Sequence, residues 1–307
     1  KIVYVPLDKG RNDIQIKKTE QLDIFKDAYC MIKKVEFTLV DWNKVTKYDI
    51  YLGNQFIAEK NLNIEYDPTN GRFYSLFQEE IKNPKFWDFK KPYLYAVKTQ
   101  LNNQNEVVDE VISHFGLRTV HTAFLSENDE VKKIFLNNKP LYVRGVLDQG
   151  YNPWGIYTYP YAHEKKKGSM SFDIDGAFAC GYNVIRMHIK DNEPLWYDYC
   201  DETGMLVWDE HPLNFYAKSE NPVWQGMYFR KLKQMAKKHW YHPSIIMFST
   251  FNESWGIEGW HERSPWEDPV GINFIKNAVT IYKKEAPAIL VLDNSGYGKT
   301  SKTDIVD

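Results

Sequence analysis

Residues 242–253 read HPSIIMFSTFNE, and this segment decides the fold. Its centre is a mostly apolar run of strand length, and it ends in the polar pair Asn252-Glu253. A strand that is apolar on both faces is typical of a parallel sheet covered by helices. The segment therefore predicts a central strand of an α/β domain, with Glu253 at the carboxyl end of that strand.

The same pattern recurs on both sides of this segment. Strands joined by single helices pair in parallel through right-handed crossovers, in either a doubly wound sheet or a (β/α)8 barrel. Because no glycine-rich nucleotide-binding loop follows a strand, the barrel is favoured. The further strands are predicted at 143–147, 183–187, 205–208 and 289–292, and the helices at 172–180, 194–203, 228–240 and 272–284.

The first part of the chain has a different period. Up to residue 118, short alternating stretches such as Tyr48, Ile50 and Leu52 predict strands, and no amphipathic helix interrupts them. Strands at this spacing are typical of a β-sandwich. A hairpin with Asn137-Asn138 as its turn is predicted next. We therefore expect a sandwich in residues 1–118 and about five strands of a barrel in residues 119–307.

Polar side chains follow five consecutive predicted barrel strands. The carboxyl ends of the strands form the rim that carries the active site of such barrels. A single residue of this kind is readily explained as a cap or a turn residue, but five sets together indicate a site at the rim. They are Asp148 and Gln149, His188, Asp209 and Glu210, Asn252 and Glu253, and Asp293 and Asn294.

Composition excludes several classes of function. Lys plus Arg (39) nearly balance Asp plus Glu (41), so no basic surface is expected to bind nucleic acid. No apolar run approaches the ~18 residues of a membrane span, and we expect no membrane partner. The three cysteines are widely spaced without a CxxC pair, which argues against a disulfide framework or a zinc site. We expect them to be small buried residues.

Several segments, in the right order along the chain, resemble glycoside hydrolase family 2. Residues 242–256, HPSIIMFSTFNESWG, resemble the acid/base signature of the family. Residues 183–188 with 201–210 are similar to its second signature, although Met187-His188-Ile189-Lys190 stands where the family has Ser-His-Tyr-Pro. Residues 141–151 resemble the first-strand motif, and residues 92–95 and 115–118 resemble the sandwich that precedes the barrel.

The resemblance implies an immunoglobulin-like β-sandwich followed by a truncated (β/α)8 TIM barrel, and a retaining β-glycosidase whose substrate is a β-glycoside. It implies that Glu253 is the general acid/base and that Asn252 binds the sugar 2-hydroxyl. We expect neither a metal nor a cofactor. The other expected substrate-binding residues are Asp148, Gln149, Arg186, His188, Asp209, Glu210, Trp255 and Asn294.

A retaining glycosidase needs two carboxyl groups ~5–5.5 Å apart, of which one attacks and the other handles the proton. We expect partial burial of Glu253 and a carboxylate neighbour to raise its pKa. The resemblance implies a nucleophile on a seventh strand, which would lie beyond Asp307. We therefore expect this chain to be inactive by itself and to associate, as a homo-oligomer, through unpaired strand edges.

The sequence does not determine which sugar the enzyme recognises. A β-galactosidase-like enzyme is the first interpretation, and a β-glucuronidase-like or β-mannosidase-like enzyme is the alternative. A non-catalytic carbohydrate-binding protein on the same folds is the alternative from another class. A metal-dependent hydrolase is disfavoured because the strand ends offer only His188 and scattered acids. The compartment is unknown, because a chain that begins at Lys1 is compatible with an upstream signal peptide.

Overall fold

The structure is a computed structural model. Cys30, one of the three cysteines expected to be buried, and Trp255, an expected substrate-binding residue, lie outside the residues that it describes. Those residues are 47–52, 55–61, 65–67, 72–74, 81, 83–103, 106–152, 170–212, 220–254, 257, 269–296 and 299–306.

The chain divides into two compact units. The first comprises Lys1–Asn83 with Tyr95–His114, and the second comprises Pro84–Leu94 with Phe115–Asp307. The predicted boundary between residues 118 and 119 stays a prediction.

The first unit is built from antiparallel strands. In its four-stranded sheet the order is β2-β1-β5-β6, and Ile50 lies opposite Val97 on one side and Ala58 on the other. Two short strands, β3 and β4, pair separately. The predicted strand through Tyr48 and Leu52 is confirmed. The bounds are β1 (Lys47–Leu52), β2 (Gln55–Asn61), β3 (Glu65–Asp67), β4 (Arg72–Tyr74), β5 (Tyr95–Asn103) and β6 (Glu106–Phe115).

The second unit begins with a small antiparallel sheet, in which β7 (Val120–Ala123), β8 (Lys133–Leu136) and β9 (Lys139–Leu141) pair in sequence. The predicted hairpin turn is confirmed. Asn137 and Asn138 have φ values of 49° and 61°, the left-handed conformation that a two-residue hairpin turn requires and that Asn tolerates.

The main sheet of the second unit is parallel and strictly sequential. Its order is β10-β11-β12-β13-β14, and one helix, α1 to α4 in turn, lies between each strand and the next along the chain. A sheet without reversal of strand order is a portion of a barrel, so the predicted barrel is confirmed over a doubly wound sheet. The strands are β10 (Gly145–Asp148), β11 (Val184–Met187), β12 (Leu206–Glu210), β13 (Ile245–Asn252) and β14 (Leu290–Ser295), and the helices are α1 (Met170–Ala179), α2 (Pro194–Thr203), α3 (Pro222–His239) and α4 (Pro269–Glu285).

Two apolar clusters lie on opposite faces of this sheet. Val207 belongs to the large cluster that includes the buried side chains of the helices. Leu206 belongs to the second cluster, against which Trp208 packs, on the inner face of the barrel. Because side chains alternate along a strand, Glu210 shares the inner face with Trp208, whereas Asp209 faces the helices. In the part of the chain that the structure describes, no helix has the length and hydropathy needed to cross a bilayer.

The first residues of the second unit are held against the barrel strands by hydrogen bonds. Trp87 is fully buried and donates from Nε1 to the carbonyl of Asp201 at 2.8 Å. Arg118 donates to the carbonyls of Pro243 at 3.1 Å, Ala288 at 2.5 Å and Ile245 at 2.6 Å. The Arg118 contacts satisfy backbone groups at the amino ends of β13 and β14, and the Trp87 contact satisfies one on α2.

The start of β13 is fixed by a buried carboxylate on α2. The Asp201 Oδ2 atom lies 2.6 Å from Nδ1 of His242, and its Oδ1 atom accepts from the backbone N–H of Ser244 at 3.0 Å. His242 and Ser244 therefore position the strand, and the HPS sequence before the apolar run has a structural role.

The outer edge of β14 is occupied by the segment 299–306. Asp304 accepts from the N–H of Val291 at 2.9 Å and donates its own N–H to the Val291 carbonyl at 2.8 Å. Thr303 accepts from the N–H of Asp293 at 3.3 Å. Association through unpaired strand edges stays a prediction, and this edge has partners within the chain. Among the cysteines, Cys200 is buried as predicted, but the prediction for Cys180 was wrong because that residue is exposed at the end of α1.

Helix α2 ends at a glycine that no other residue can replace without strain. Gly204 has a φ of 87°, and a Cβ atom added there would lie 2.2 Å from the carbonyl oxygen of Phe89. We expect Gly204→Ala to lower the free energy of unfolding by about 3 kcal/mol or more, because a left-handed alanine costs ~1–2 kcal/mol and steric overlap adds ~1–3.

The matched control for this prediction is Gly181, which also follows a helix in the left-handed conformation, with a φ of 84° and open space around its Cβ position. Gly181→Ala should cost only the ~1–2 kcal/mol of the backbone conformation. Urea denaturation of both variants measures the difference. Equal losses would contradict the proposed overlap at Gly204.

Candidate active site

Three neighbouring strands bring Arg186, Glu210 and Asn252 into contact at their carboxyl ends. Arg186 on β11 donates from Nε to Oε1 of Glu210 at 2.6 Å, and its Nη2 lies 2.5 Å from the same oxygen. Nη2 of Arg186 also donates to Oδ1 of Asn252 at 2.7 Å. The guanidinium therefore joins β12 to β13 at the barrel rim. The structure brings together these three predicted site residues.

Glu210 is almost fully buried, with 1% of its side chain exposed, and both of its oxygens are occupied. Oε2 lies 2.6 Å from Nδ1 of His188 and accepts from the backbone N–H of Ile189 at 3.2 Å. Ile189 has a φ of 50°, a left-handed conformation that is strained for a β-branched residue. Since a carboxylate can only accept, Nδ1 of His188 must donate to Glu210. Glu210 thus organises the rim and has no oxygen left for a reacting group.

Trp208, which the sequence analysis did not single out, packs against the guanidinium group of Arg186. The guanidinium carbon of Arg186 lies 4.3 Å from the centre of the Trp208 ring, a cation–π contact. Nε1 of Trp208 donates to Oγ of Ser249 at 2.7 Å. The period-2 alternation that places Trp208 on the same face as Glu210 was the available signal.

Arg186 also fixes the orientation of the Asn252 amide. Because Oδ1 of Asn252 accepts from Arg186, its amino group points elsewhere and can donate to a bound molecule. Asn252 is 8% exposed at the end of β13, where a substrate could reach this group.

Glu253 lies directly after β13 in a tight turn. Its backbone N–H donates to the Ser295 carbonyl at 2.9 Å, and both Glu253 and Ser254 have positive φ values, of 51° and 60°. A Cβ atom added at Gly296 would lie 3.6 Å from Cγ of Glu253, so the side chain passes the end of β14. The residue is exposed, and the expected partial burial is not found.

Asn294, another predicted site residue, holds this turn. Its Oδ1 accepts from the N–H of Ser254 at 2.9 Å, and its Nδ2 donates to Oγ of Ser254 at 3.3 Å. Asn294 is fully buried. It is therefore placed to support the backbone that carries Glu253 rather than to reach a ligand.

Asp148 and Gln149 are not brought into this group. Val146, two residues before Asp148, packs against the helix-side cluster, so Asp148 faces the helices too. Its Oδ1 accepts from the N–H of Gly150 at 2.6 Å, and burial raises the pKa of its carboxyl group. Gln149 is exposed at the rim. Asp209 also lies apart, fully buried beside Tyr197 and His239.

His211, the residue after Glu210, is a second histidine that the sequence analysis missed. It is 5% exposed, and its ring lies 4.3 Å from the ring of Tyr228. Burial lowers the pKa of His211 to about 4. The folded protein therefore keeps this imidazole neutral under ordinary conditions.

The low pKa of His211 predicts a stability that depends on pH. The unfolded state binds a proton with a pKa near 6.5, whereas the folded state does so only near pH 4. The free energy of unfolding should therefore fall by about 3 kcal/mol between these values as the pH is lowered. His211→Phe, which keeps a ring beside Tyr228, should remove most of this slope in urea titrations from pH 7 to pH 4. An unchanged slope in the variant would exclude His211 as its source.

The fold and these contacts define five consecutive strands of a (β/α)8 barrel, with a polar site at their carboxyl ends, and an antiparallel β domain that precedes them in the sequence. Two family models match the chain. Residues 33–118 match Glycosyl hydrolases family 2, and residues 128–264 match the TIM barrel domain of Glycosyl hydrolases family 2.

Known proteins agree with this assignment. A β-galactosidase of Psychromonas ingrahamii is 28% identical over 261 residues, which are 83% of this chain and 22% of that protein. A Bacteroides uniformis β-glucuronidase structure has a TM-score of 0.63 at 23% identity and covers 80% of this chain and 29% of the other. A β-galacturonidase from Eisenbergiella tayi bound to galacturonate has a TM-score of 0.61 at 22% identity, with 80% and 40% covered.

The chain belongs to glycosyl hydrolases family 2, and it comprises the immunoglobulin-like domain and the first part of the TIM barrel. It spans 22% of the length of the β-galactosidase relative.

Proposed function

We propose that this chain is part of a retaining β-glycosidase that acts on β-galactosides, with Glu253 as the general acid/base. The observation that carries this proposal is the set of hydrogen bonds by which Arg186 links Glu210 and Asn252 across three strand ends. Glu253 follows Asn252 directly in the chain. The β-galactosidase relative supports the choice of sugar.

Each residue then has a part in the reaction. In the first step Glu253 would give its proton to the leaving oxygen as the glycosidic bond breaks and a carboxylate nucleophile bonds to the anomeric carbon. In the second step the Glu253 carboxylate would take a proton from water, which attacks that carbon and releases the nucleophile. The exposed position of Glu253 suits contact with both the leaving group and water.

Asn252 would bind the sugar before and during these steps. Its amino group, turned outward by Arg186, would donate to the 2-hydroxyl oxygen of the sugar. Such a bond strengthens as positive charge develops on the ring in the transition state. His188, 14% exposed and fixed by Glu210 through Nδ1, would present Nε2 to a second hydroxyl.

The experiment is a substrate panel on the enzyme that contains this chain. We expect nitrophenyl β-galactoside to be hydrolysed with retention of configuration. Proton NMR of the first-formed sugar measures that configuration. If the β-glucuronide or the β-mannoside is hydrolysed faster, that sugar replaces galactose in the proposal, and the proposed reaction is unchanged. Binding of these glycosides without any turnover would instead support the non-catalytic carbohydrate-binding function.

A further inference from the structure

Asp209 was expected at the rim but lies on the helix-facing side of β12, inside a group of polar side chains that the reaction does not use. It is fully buried, and Oδ1 accepts from the hydroxyl of Tyr197 at 3.0 Å. Oδ2 lies 2.7 Å from Nδ1 of the equally buried His239, on the last turn of α3. When the His239 ring is protonated, this contact is an ion pair.

The other side of the His239 ring faces a second carboxylate. Nε2 of His239 lies 3.3 Å from Oδ1 of Asp191, in the loop that follows β11. Asp191 also accepts from Nζ of Lys231 at 2.8 Å and from Nζ of Lys238 at 2.7 Å. Burial alone would lower the pKa of His239, but the charges of Asp209 and Asp191 outweigh it and raise that pKa.

A second connection runs from Asp209 to the same loop. The Tyr197 hydroxyl that donates to Asp209 accepts from the backbone N–H of Asn192 at 3.2 Å. The carbonyl of Asn192 accepts from Lys238 at 3.1 Å. Both connections from Asp209 thus end at consecutive residues, 191 and 192, of one loop.

This loop, residues 188–192 and here called the His188 loop, carries the groups that bind Glu210. It begins with His188 and continues through Ile189, which has a φ of 50° and donates its N–H to Glu210. A strained backbone persists only where its surroundings hold it in place. The anchors at 191 and 192 supply that restraint from the helix side, and Glu210 supplies it from the inner side.

We propose that Asp209 is a positioning residue that, through His239 and Tyr197, holds the His188 loop in the conformation that presents His188 at the rim. The inference rests on the proposed function for its consequence in sugar binding. The loop is thereby fixed from both faces of β12, by Asp209 on one face and by Glu210 on the other.

The charged groups around His239 determine how pH should affect the contacts between Asp209 and the His188 loop. Asp209 faces it from β12, Asp191 from the His188 loop and Tyr197 from α2, and Lys231 and Lys238 lie beyond Asp191 on α3. The His242 ring, itself paired with Asp201, lies 6.4 Å away between ring centres. Loss of the His239 proton at high pH would leave Asp209 with the Tyr197 hydroxyl and no positive charge against it.

The test compares His239→Gln and Asp191→Asn with Lys237→Gln, an exposed position on the same helix that touches none of these groups. Calorimetry with galactose and glucuronate on the enzyme that contains this chain measures affinity at pH 6 and pH 9. We expect both variants to bind the preferred sugar about tenfold more weakly at pH 6, since small displacements of site groups have large effects. The affinity of the parent and of Lys237→Gln should decrease from pH 6 to pH 9 in step with loss of the proton from His239, whose pKa is raised.

A second measurement separates this inference from the proposed function. Amide hydrogen exchange at His188 and Ile189 should be about tenfold faster in His239→Gln and Asp191→Asn than in the parent, as expected for local opening. The exchange measurement needs no sugar. If the parent binds neither sugar, the proposed function is overturned, but the positioning role of Asp209 is still tested by hydrogen exchange. Unchanged exchange at both amides in Asp191→Asn, the less buried variant, would overturn the positioning role of Asp209.

Discussion

Glu253→Gln is expected to lower kcat for an alkyl β-galactoside about a thousandfold, within the 10²–10⁴ that general acid–base catalysis contributes. An alkoxide is a poor leaving group, and glutamine has no proton of suitable acidity to give it. The substitution keeps the size of the side chain and leaves the backbone bond from residue 253 to Ser295 intact. The measurement is steady-state kinetics on the enzyme that contains this chain.

The matched control is Glu202→Gln, an exposed glutamate on α2. It removes the same charge at a distance from the strand ends, and kcat should stay within about twofold of the parent, because surface substitutions of this kind usually change free energies by ~0.5 kcal/mol or less. Unfolding midpoints should be similar in both variants because both glutamates are exposed. Comparable activity in Glu253→Gln and Glu202→Gln would exclude Glu253 from the chemistry.

Glu210→Gln is expected to destabilise the barrel unit by about 3–5 kcal/mol and to abolish measurable sugar binding. Arg186 would lose its buried counter-charge, and an amide cannot accept from Arg186, His188 and Ile189 as the carboxylate does. Without this acceptor, neither Arg186 nor His188 keeps its place, and the Asn252 amide loses its fixed orientation. Urea denaturation and calorimetry measure the two effects.

A double variant separates stability from function at this position. In Arg186→Met with Glu210→Met, two apolar side chains replace the pair, and such replacements are often neutral or stabilising. We expect this variant to regain most of the stability lost in Glu210→Gln while sugar binding stays absent. Recovery of binding together with stability would show that the pair only maintains the fold.

The regular elements could be predicted because their signals are local. Helix α2 runs from Pro194 to Thr203 as predicted, since Pro begins it and Gly204 ends it. Helix α3 begins at Pro222, six residues before its predicted start, because Asn221 caps it by accepting from Val223 and Trp224. The Asn-Pro pair was a readable signal, although the apolar spacing becomes clear only from Tyr228 onward.

The side chains at the rim were harder to predict, because the strands are apolar on both faces. Alternation shows that Asp209 and Glu210 point in opposite directions, but it does not show which of them faces the helices. Asp148 and Asp209 were grouped with Glu210 by their place in the sequence. The structure separates them by the face of the sheet, and it adds Trp208 by the same rule.

The role of Asn294 could not be read from the sequence either. Its position after β14 indicated the rim, but its contacts are with Ser254, forty residues earlier. Long-range contacts of this kind depend on the register between β13 and β14, in which Asn252 lies opposite Ser295. Strand register in a parallel sheet is set by the packing of the whole domain and leaves no local signal.

Dependence on the leaving group tests the role of Glu253 most directly. In Glu253→Ala, a dinitrophenyl β-galactoside needs no proton on its leaving group, so formation of the glycosyl-enzyme should stay near the rate of the parent. The alkyl β-galactoside should lose about a thousandfold. Azide, which needs no general base, should then restore turnover of the activated substrate and yield the β-galactosyl azide. An equal loss for both leaving groups, with no effect of azide, would contradict the assignment of Glu253 as acid/base.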